Sequence, residues 1–220
     1  MVQETPKAII AVTARTHVAA VWHELWKAGL TIGLASAASV LITPTIQSIL
    51  TEPSCDDPGD LRLVSRSELT AEASSVNGEE AGATYEASRA IDGDSSTSWV
   101  EGKLDSDENK YGEGEYLTIT LAEPRNVQLV CVINGFARTQ ELYLHNSRVR
   151  QFSVVTDAGT TDSVLPEKPL ELYAGYQSLN IAKGLTASIR LTIGTARAGQ
   201  DSQQESDTSI SEVEIWATNN

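Results

Sequence analysis

From residue 115 onward, the apolar residues of this chain recur at every second position. The clearest example is residues 116–121, in which Leu117, Ile119 and Leu121 share one face. Because successive side chains of an extended strand point to opposite faces, this period predicts strands with one buried face. Further strands are predicted at 127–134, 149–156, 161–165, 176–181, 188–193 and 210–217. Loops rich in Gly, Pro, Asn and Asp separate them, and no helical period spans ten residues after Leu50, so the sequence predicts an all-β sandwich or jelly roll.

An uncharged run at residues 28–50 precedes the alternating region. The run exceeds the roughly 20 residues that a helix needs to cross a bilayer core. It therefore predicts one transmembrane helix, and a cleaved signal peptide is the alternative. In residues 1–27, apolar side chains recur at helical spacing, and Trp22 and Trp26 lie beside the run. This pattern predicts a short amphipathic helix at the cytoplasmic interface of the membrane.

Residues 51–69 connect the uncharged run to the alternating region. They contain Pro53, Pro58 and Gly59 together with several acidic residues. Such residues interrupt regular structure and keep a segment solvated, so an acidic linker is predicted here. Residues 61–64 are a candidate short edge strand within it. The folded domain is then expected over residues 70–217.

The net charge of −14 is carried by the part of the chain after residue 50. An acidic surface repels nucleic acid, so the sequence predicts no nucleic-acid partner. Basic residues slightly exceed acidic ones before the uncharged run, and acidic residues follow the run closely. By the positive-inside rule, the N-terminus is expected in the cytoplasm and the large domain outside the cell membrane.

The two cysteines, Cys55 and Cys131, are too few for a disulfide scaffold, and their spacing fits no metal motif. Cys131 falls in register with the apolar residues of the strand predicted at 127–134. It is therefore interpreted first as a small apolar core residue. The alternative is a bridge to Cys55, which would attach the linker to the sandwich in an oxidising compartment.

One segment is more specific than the strand pattern. It reads Ala87-Ser-Arg-Ala-Ile-Asp-Gly-Asp-Ser-Ser-Thr-Ser-Trp99, and it resembles the signature of discoidin-like domains, also called coagulation factor 5/8 type C domains. The likeness continues in residues 112–121, Asn134-Gly-Phe136, Tyr143, Asn146-Ser-Arg148 and residues 211–216. These later motifs are similar to a subgroup named for the translocation domain of an NADase, which is described as glycan-binding. Several ordered motifs are more specific than one Asp-Gly turn.

The resemblance implies a discoidin-like (galactose-binding-like) β-sandwich jelly roll over residues 70–217, which would follow the membrane anchor predicted from the uncharged run. It also implies a module that recognises cell-surface or cell-wall glycan through loops at one end of the sandwich. A protein-interaction or assembly subunit is the alternative. The candidate ligand residues are Tyr111, Phe136, Arg138, Tyr143, Asn146 and Arg148. Aromatic faces suit the C–H surfaces of sugars, and amide or guanidinium groups suit paired hydroxyls, but each of these residues can equally hold a loop together.

The Asp92-Gly93-Asp94 turn predicts a structural calcium site. Gly93 permits a tight backbone turn, and Asp92, Asp94 and Thr97 offer several hard oxygens within one loop, as calcium requires. The resemblance implies that Glu212, at the start of the last strand, completes the site. The alternative is an Asp-Gly turn whose carboxylates cap backbone N–H groups without a metal.

Catalysis is not expected from this sequence. His145 is the only histidine after residue 50, and the chain has neither a Gly-x-Ser-x-Gly nor a His-Glu-x-x-His motif. Acidic residues are plentiful, but they cluster in turns and in the linker, which is typical of a solvated surface. The likeness to an NADase concerns its non-catalytic domain and implies no NADase activity here.

Overall fold

The computed structural model describes residues 52–78, 84–102, 111–200 and 207–219. The amphipathic helix predicted before residue 28 and the transmembrane helix predicted at 28–50 lie outside these residues. Within the described ranges, no helix has the length and hydropathy needed to span a membrane.

The described residues form nine strands and one short α-helix. In chain order these are β1 (Arg62–Leu63), β2 (Leu69–Ala73), β3 (Trp99–Val100), β4 (Tyr116–Asn134), α1 (Gln140–His145), β5 (Arg148–Thr156), β6 (Gly159–Val164), β7 (Gln177–Ser178), β8 (Gly184–Arg197) and β9 (Ser209–Ala217). Single turns of 3-10 helix lie at Arg66–Glu68, Ala87–Ala90 and Leu170–Leu172. The predicted all-β fold is confirmed.

The strands pair antiparallel in the order β1-β9-β4-β8-β5-β6. Strands β2 and β7 also pair with β4, and β3 pairs with β9. Strand β4 is thus the centre of the fold, because it contacts β2 and β8 at its start and β9 and β7 towards its end. This pairing encloses a single apolar core.

The predicted alternation places the core residues. Leu117 and Ile119 of β4 lie opposite Leu191 and Ile189 of β8, and all four side chains are fully buried. Trp99 packs into the same cluster, and its indole N–H donates to the carbonyl of Ser75 at 2.9 Å. Each such buried side chain stabilises the fold by about 1.5–3 kcal/mol.

The strands predicted at 116–121 and 127–134 are halves of the single strand β4. The register of β4 against β8 shifts between Thr120 and Arg125, at a bulge that contains Pro124. Bulges bend a strand and interrupt its regular pairing. Proline has no N–H to donate to the ladder, so it is tolerated at such a position. The sequence pattern is interrupted at the bulge, which explains why two strands were predicted.

The strand predicted at 176–181 is only partly formed. Residues Gln177 and Ser178 pair with β4, and the N–H of Leu179 donates to Val130. Asn180 leaves the ladder because its N–H donates to the hydroxyl of Ser163 at 2.9 Å. A side-chain acceptor therefore replaces the backbone partner that a longer strand would need.

The acidic linker predicted over 51–69 is attached to the sandwich in the part of that segment that the structure describes. Cys55 forms a disulfide with Cys131, 76 residues later in the chain, with a Cα–Cα distance of 5.8 Å. The candidate edge strand exists as β1, which pairs with β9, and the N–H of Val64 donates to Ile215 at 2.8 Å. The segment is thus part of the sandwich, and Cys131 is a half-cystine as well as a fully buried residue.

Candidate functional site

The turn predicted to hold calcium is fixed by its own side chains. Gly93 has a φ of 84°, a left-handed conformation that glycine adopts without strain. Asp92 accepts the N–H of Asp94 and the hydroxyl of Thr97, each at 2.9 Å. Asp94 accepts the N–H and the hydroxyl of Ser96 at 2.9 and 2.6 Å. The hydrogen bonds from Ser96 stabilise the carboxylate form, so they lower the pKa of Asp94.

Glu212 of β9 joins this turn to the core. Its side chain is buried, with 1% of its surface exposed, and it accepts the N–H of Gly93 at 2.8 Å. The guanidinium of Arg66 lies 3.9 Å from Glu212 and 3.8 Å from Glu214. Burial raises the pKa of Glu212 to about 7, against the opposing effects of the Gly93 N–H and Arg66. A Cβ atom on Gly93 would meet the Arg66 guanidinium at 2.5 Å, so a larger residue here would displace this half-exposed side chain from Glu212.

The structure brings the four predicted calcium ligands to one turn, but it uses them for other contacts. Asp92, Asp94 and Thr97 form hydrogen bonds within the turn. Glu212 accepts a hydrogen bond from the backbone N–H of Gly93 in the turn. The positive charge beside Glu212 is the guanidinium of Arg66. Among the described residues, no three acidic, histidine or cysteine side chains are grouped closely enough to hold a metal ion. As placed, these residues form the capped Asp-Gly turn of the alternative interpretation, and their carboxylates have partners within the protein.

A pocket of about 290 Å³ lies beside the turn. We call it the Arg89–Arg138 pocket, and its lining residues are Thr84, Tyr85, Arg89, Ser96, Thr97, Ser98, Phe136 and Arg138. The half-buried ring of Tyr85 and the buried ring of Phe136 pack edge to face, with their centroids 6.1 Å apart. The pocket therefore combines an aromatic corner with a row of small hydroxyl side chains.

The two arginines of the pocket have different surroundings. Arg89 donates from Nε and Nη2 to the hydroxyl of Thr84, at 3.1 and 2.9 Å, and its Nη1 lies 3.4 Å from Asp92. Arg138 is exposed, and within the described ranges its guanidinium has no hydrogen bond or ion pair. Arg89 is thus a fixed part of the wall, whereas Arg138 has all of its donors available.

Residues 65–216 match the family described as NAD glycohydrolase translocation F5/8 type C domain. This match covers well over half of the chain. The chain belongs to this family. The matched residues begin before residue 70, in agreement with the attachment of the 52–69 segment to the sandwich. No curated protein matches the chain in sequence.

Solved structures share the fold of this F5/8 type C domain. CBM32-3 from a family 31 glycoside hydrolase of Clostridium perfringens is 18% identical, with a TM-score of 0.51 over 71% of this chain and 95% of that chain. The CBM32-1 and CBM32-2 domains of Clostridium perfringens ZmpB are 8% identical, with a TM-score of 0.52 over 80% of this chain and 39% of that chain. At these identities the likeness establishes the discoidin-like sandwich fold.

Of the six predicted ligand residues, the F5/8 type C domain places Phe136 and Arg138 in the pocket. Tyr111 lies elsewhere, and its carbonyl accepts the hydroxyl of Thr208 at 2.9 Å. Its half-buried side chain does not line the pocket. Two of the six predicted residues thus line the pocket, and their role as ligands stays a prediction.

The other three predicted ligand residues, Tyr143, Asn146 and Arg148, hold the end of helix α1. Arg148 is buried and donates hydrogen bonds to the carbonyls of Tyr143 and Asn146 at 2.7 and 3.2 Å. Its guanidinium also lies 4.7 Å from the centre of the Tyr143 ring. Asn146 donates to the carbonyl of Leu142 at 2.9 Å. The last carbonyls of a helix have no partner within it, so these side chains supply the donors. Their predicted role in the ligand site is corrected to a structural one.

The sequence prediction missed five lining residues of the pocket, namely Thr84, Tyr85, Arg89, Ser96 and Ser98. Three of them lie inside the signature segment, which was interpreted only as a metal loop. The sequence signal for these lining residues is an arginine and several hydroxyl side chains that lie together in a loop rich in turn residues. Tyr85 precedes the signature by two residues, so its proximity to the turn was also visible in the sequence.

Proposed function

We propose that this F5/8 type C domain is a non-catalytic module that binds glycan in the Arg89–Arg138 pocket. The observation that carries the proposal is the composition of the pocket, which joins the aromatic corner of Tyr85 and Phe136 to hydroxyls and the unpaired guanidinium of Arg138. Sugar sites need this combination of apolar faces and a few oriented polar groups. The Clostridium domains that share the fold bear the name CBM32, for carbohydrate-binding module, which supports glycan as the ligand class.

The size and rigidity of the pocket fit one sugar unit. Its volume of about 290 Å³ lies at the small end of ligand pockets, which span roughly 300–1,000 Å³. The turn beside it is held by the hydrogen bonds of Asp92 and Asp94, so little order has to be gained on binding. A site of this size binds weakly on its own, and many copies on one surface would strengthen attachment.

The lining of the pocket supports binding without catalysis. Its lining residues include arginine, hydroxyl and aromatic side chains, but no carboxylate, histidine or cysteine. The hydroxyl of Thr97 donates to Asp92, and that of Ser98 shares a hydrogen bond with Ser211. The described lining therefore supplies groups for recognition, and the carboxylate of Asp92 beside it is held in the turn by the N–H of Asp94 and the hydroxyl of Thr97.

Removal of the Tyr85 ring tests the glycan proposal. On an array of immobilised polysaccharides, the full-length chain is expected to bind, and Tyr85→Ala is expected to weaken the affinity about tenfold, the equivalent of about 1.4 kcal/mol. Tyr116→Ala is the matched control, because Tyr116 is also half-buried and stacks on Arg190 outside the pocket. The control should bind like the wild type.

Two outcomes would contradict the glycan proposal. One is silence of the wild-type chain on all polysaccharides, and the other is equal binding by wild type and Tyr85→Ala. Attachment to a purified surface protein that persists in excess soluble sugar would support the alternative function, a protein-interaction subunit. The same three proteins, wild type and both variants, serve for that comparison.

The proposal also includes a location, with residues 28–50 as a membrane anchor and the sandwich outside the cytoplasm. The disulfide between Cys55 and Cys131 supports it, because structural disulfides form and persist in oxidising compartments and are rare in the cytosol. The uncharged run and the slight basic excess before it give the expected orientation.

Thiol labelling in whole cells tests this location. Cells that produce the full-length chain are quenched with acid, the protein is denatured, and maleimide-polyethylene glycol is added before or after reduction. We expect no gel shift before reduction and a shift from two labels after it, because both cysteines are bridged. A double shift without reduction would show that the bridge does not form in the cell, and it would remove the support for an oxidising location.

A further inference from the structure

The charge of the Arg89–Arg138 pocket is opposite in sign to that of the chain. The chain carries a net charge of −14, whereas the described residues that line the pocket include two arginines and no carboxylate. The acidic surface repels anions at long range, and salt screens that repulsion. Within the pocket the nearest charges are the guanidinium groups. The lining therefore favours an anionic group at contact distance.

Only Arg138 is available to pair with such a group. The charge of Arg89 is offset by Asp92 at 3.4 Å. Two nitrogens of the Arg89 guanidinium also donate hydrogen bonds to the hydroxyl of Thr84. Arg138 is exposed at the wall of the pocket and has no hydrogen bond or ion pair among the described residues. An arginine presents its N–H groups as a planar fork that matches the two oxygens of a carboxylate.

Of the two carboxylates beside this pocket, Asp92 is paired with Arg89, and Asp94 is the one that opposes an anion. It does not line the pocket, but Arg89 and Arg138 both lie close enough to act on its charge. Its carboxylate is turned to Ser96, from which it accepts two hydrogen bonds. Asparagine retains one oxygen acceptor at this position and has no charge, so Asp94→Asn changes the field in the pocket with little change in the turn.

We infer that the pocket selects sugars that carry a carboxylate, the uronic acids, and that Arg138 pairs with this carboxylate. The inference rests on the proposed function and adds the class of glycan. The sugar ring lies against Tyr85 and Phe136, its hydroxyls face Ser96 and Thr97, and its carboxylate faces Arg138. Arg138 sets the preference for acidic over neutral sugars, whereas the aromatic corner contributes to the binding of both.

Calorimetric titration of the full-length chain with methyl galacturonoside and methyl galactoside tests the inference. At about 0.15 M salt, which screens the long-range repulsion, we expect galacturonoside to bind about tenfold more tightly than galactoside, as a charge-assisted bidentate pair implies. Arg138→Ala should reduce this ratio to about one and leave the affinity for galactoside within about twofold. Arg138→Lys should retain part of the preference, because it retains the charge but not the fork.

Two further variants separate the pairing of Arg138 with the carboxylate from the effect of the protein's net charge. Arg150→Ala is the matched control, because Arg150 is exposed on β5, does not line the pocket, and its loss changes the net charge equally. It should leave the ratio unchanged. Asp94→Asn should tighten the binding of galacturonoside about twofold to fivefold and leave galactoside unaffected, because it removes the opposing charge.

The outcomes distinguish this inference from the function on which it rests. Equal or tighter binding of galactoside by the wild type would overturn the selection of acidic sugars and leave glycan binding intact. An unchanged ratio in Arg138→Ala would overturn the role of Arg138. A sulfated galactoside that binds more tightly than galacturonoside would overturn the assignment of a carboxylate. Absence of binding to every sugar would overturn the proposed function itself.

Discussion

Replacing Cys55 by serine is expected to lower the melting temperature of the protein by about 10 °C. The disulfide joins residues 76 apart in the chain, and a crosslink over a loop of that length stabilises a fold by about 4 kcal/mol through the entropy of the unfolded chain. For a chain of this size, 1 kcal/mol corresponds to roughly 2–4 °C. Cys131 remains as a buried thiol, which the core accommodates as a small apolar side chain.

Scanning calorimetry with and without reductant provides the control for this prediction. Reduced wild type should melt at the temperature of Cys55→Ser, and reductant should leave the variant unchanged. The hydroxyl of Ser178 lies 3.1 Å from the sulfur of Cys55, so Ser178→Ala checks whether this local contact contributes. A reduced wild type that melts like the oxidised protein would show that the 52–69 segment is not part of the cooperative fold.

Removing the charge of Arg66 is expected to lower the melting temperature by about 5 °C, whereas chelation of divalent cations leaves it unchanged. Glu212 is buried, and one of its oxygens has no hydrogen bond within the described structure. Arg66 is the cation that faces Glu212 and Glu214. Loss of one partner of a fully buried pair costs about 3–5 kcal/mol, and because the Arg66 side chain is 43% exposed we expect about 2 kcal/mol.

Arg66→Met is the appropriate variant, because methionine retains much of the apolar stem of arginine and loses the charge. Arg62→Met, at an exposed position of β1, is the control for a neutralised arginine in the same segment. Both variants are melted with EDTA and with added calcium. A wild type that is destabilised by EDTA and restored by calcium, with loss of this response in Asp92→Asn, would establish the calcium site and contradict the role given to Arg66.

Local patterns in the sequence predicted the strands and the signature turn well. Strands β5, β6 and β9 lie within one or two residues of the predicted bounds, because the alternation of side chains depends only on neighbouring residues of one strand. The turn at Gly93 was equally predictable, since its conformation requires glycine and its hydrogen bonds involve residues only two to five positions apart.

Contacts between distant segments were not predictable in the same way. Arg148 satisfies every chemical criterion for a sugar ligand, yet the fold buries it against the end of α1. The sequence offered both interpretations of Cys131, and only the position of Cys55 beside it in three dimensions selected the disulfide. In each case the residue type was compatible with two roles, and the neighbour that decided between them belonged to another part of the chain.

The sequence by itself determined the fold class, the family motifs and the turn, because all three are encoded in short stretches of chain. The tertiary structure decided the pocket, since its walls come from residues 84–98 and 136–138, which meet only after the sheet has formed. It also decided the use of Glu212, because the register of β9 places this carboxylate beside Gly93 and Arg66. Periodicity specifies which face of a strand is buried, and the pairing of strands specifies which side chains meet.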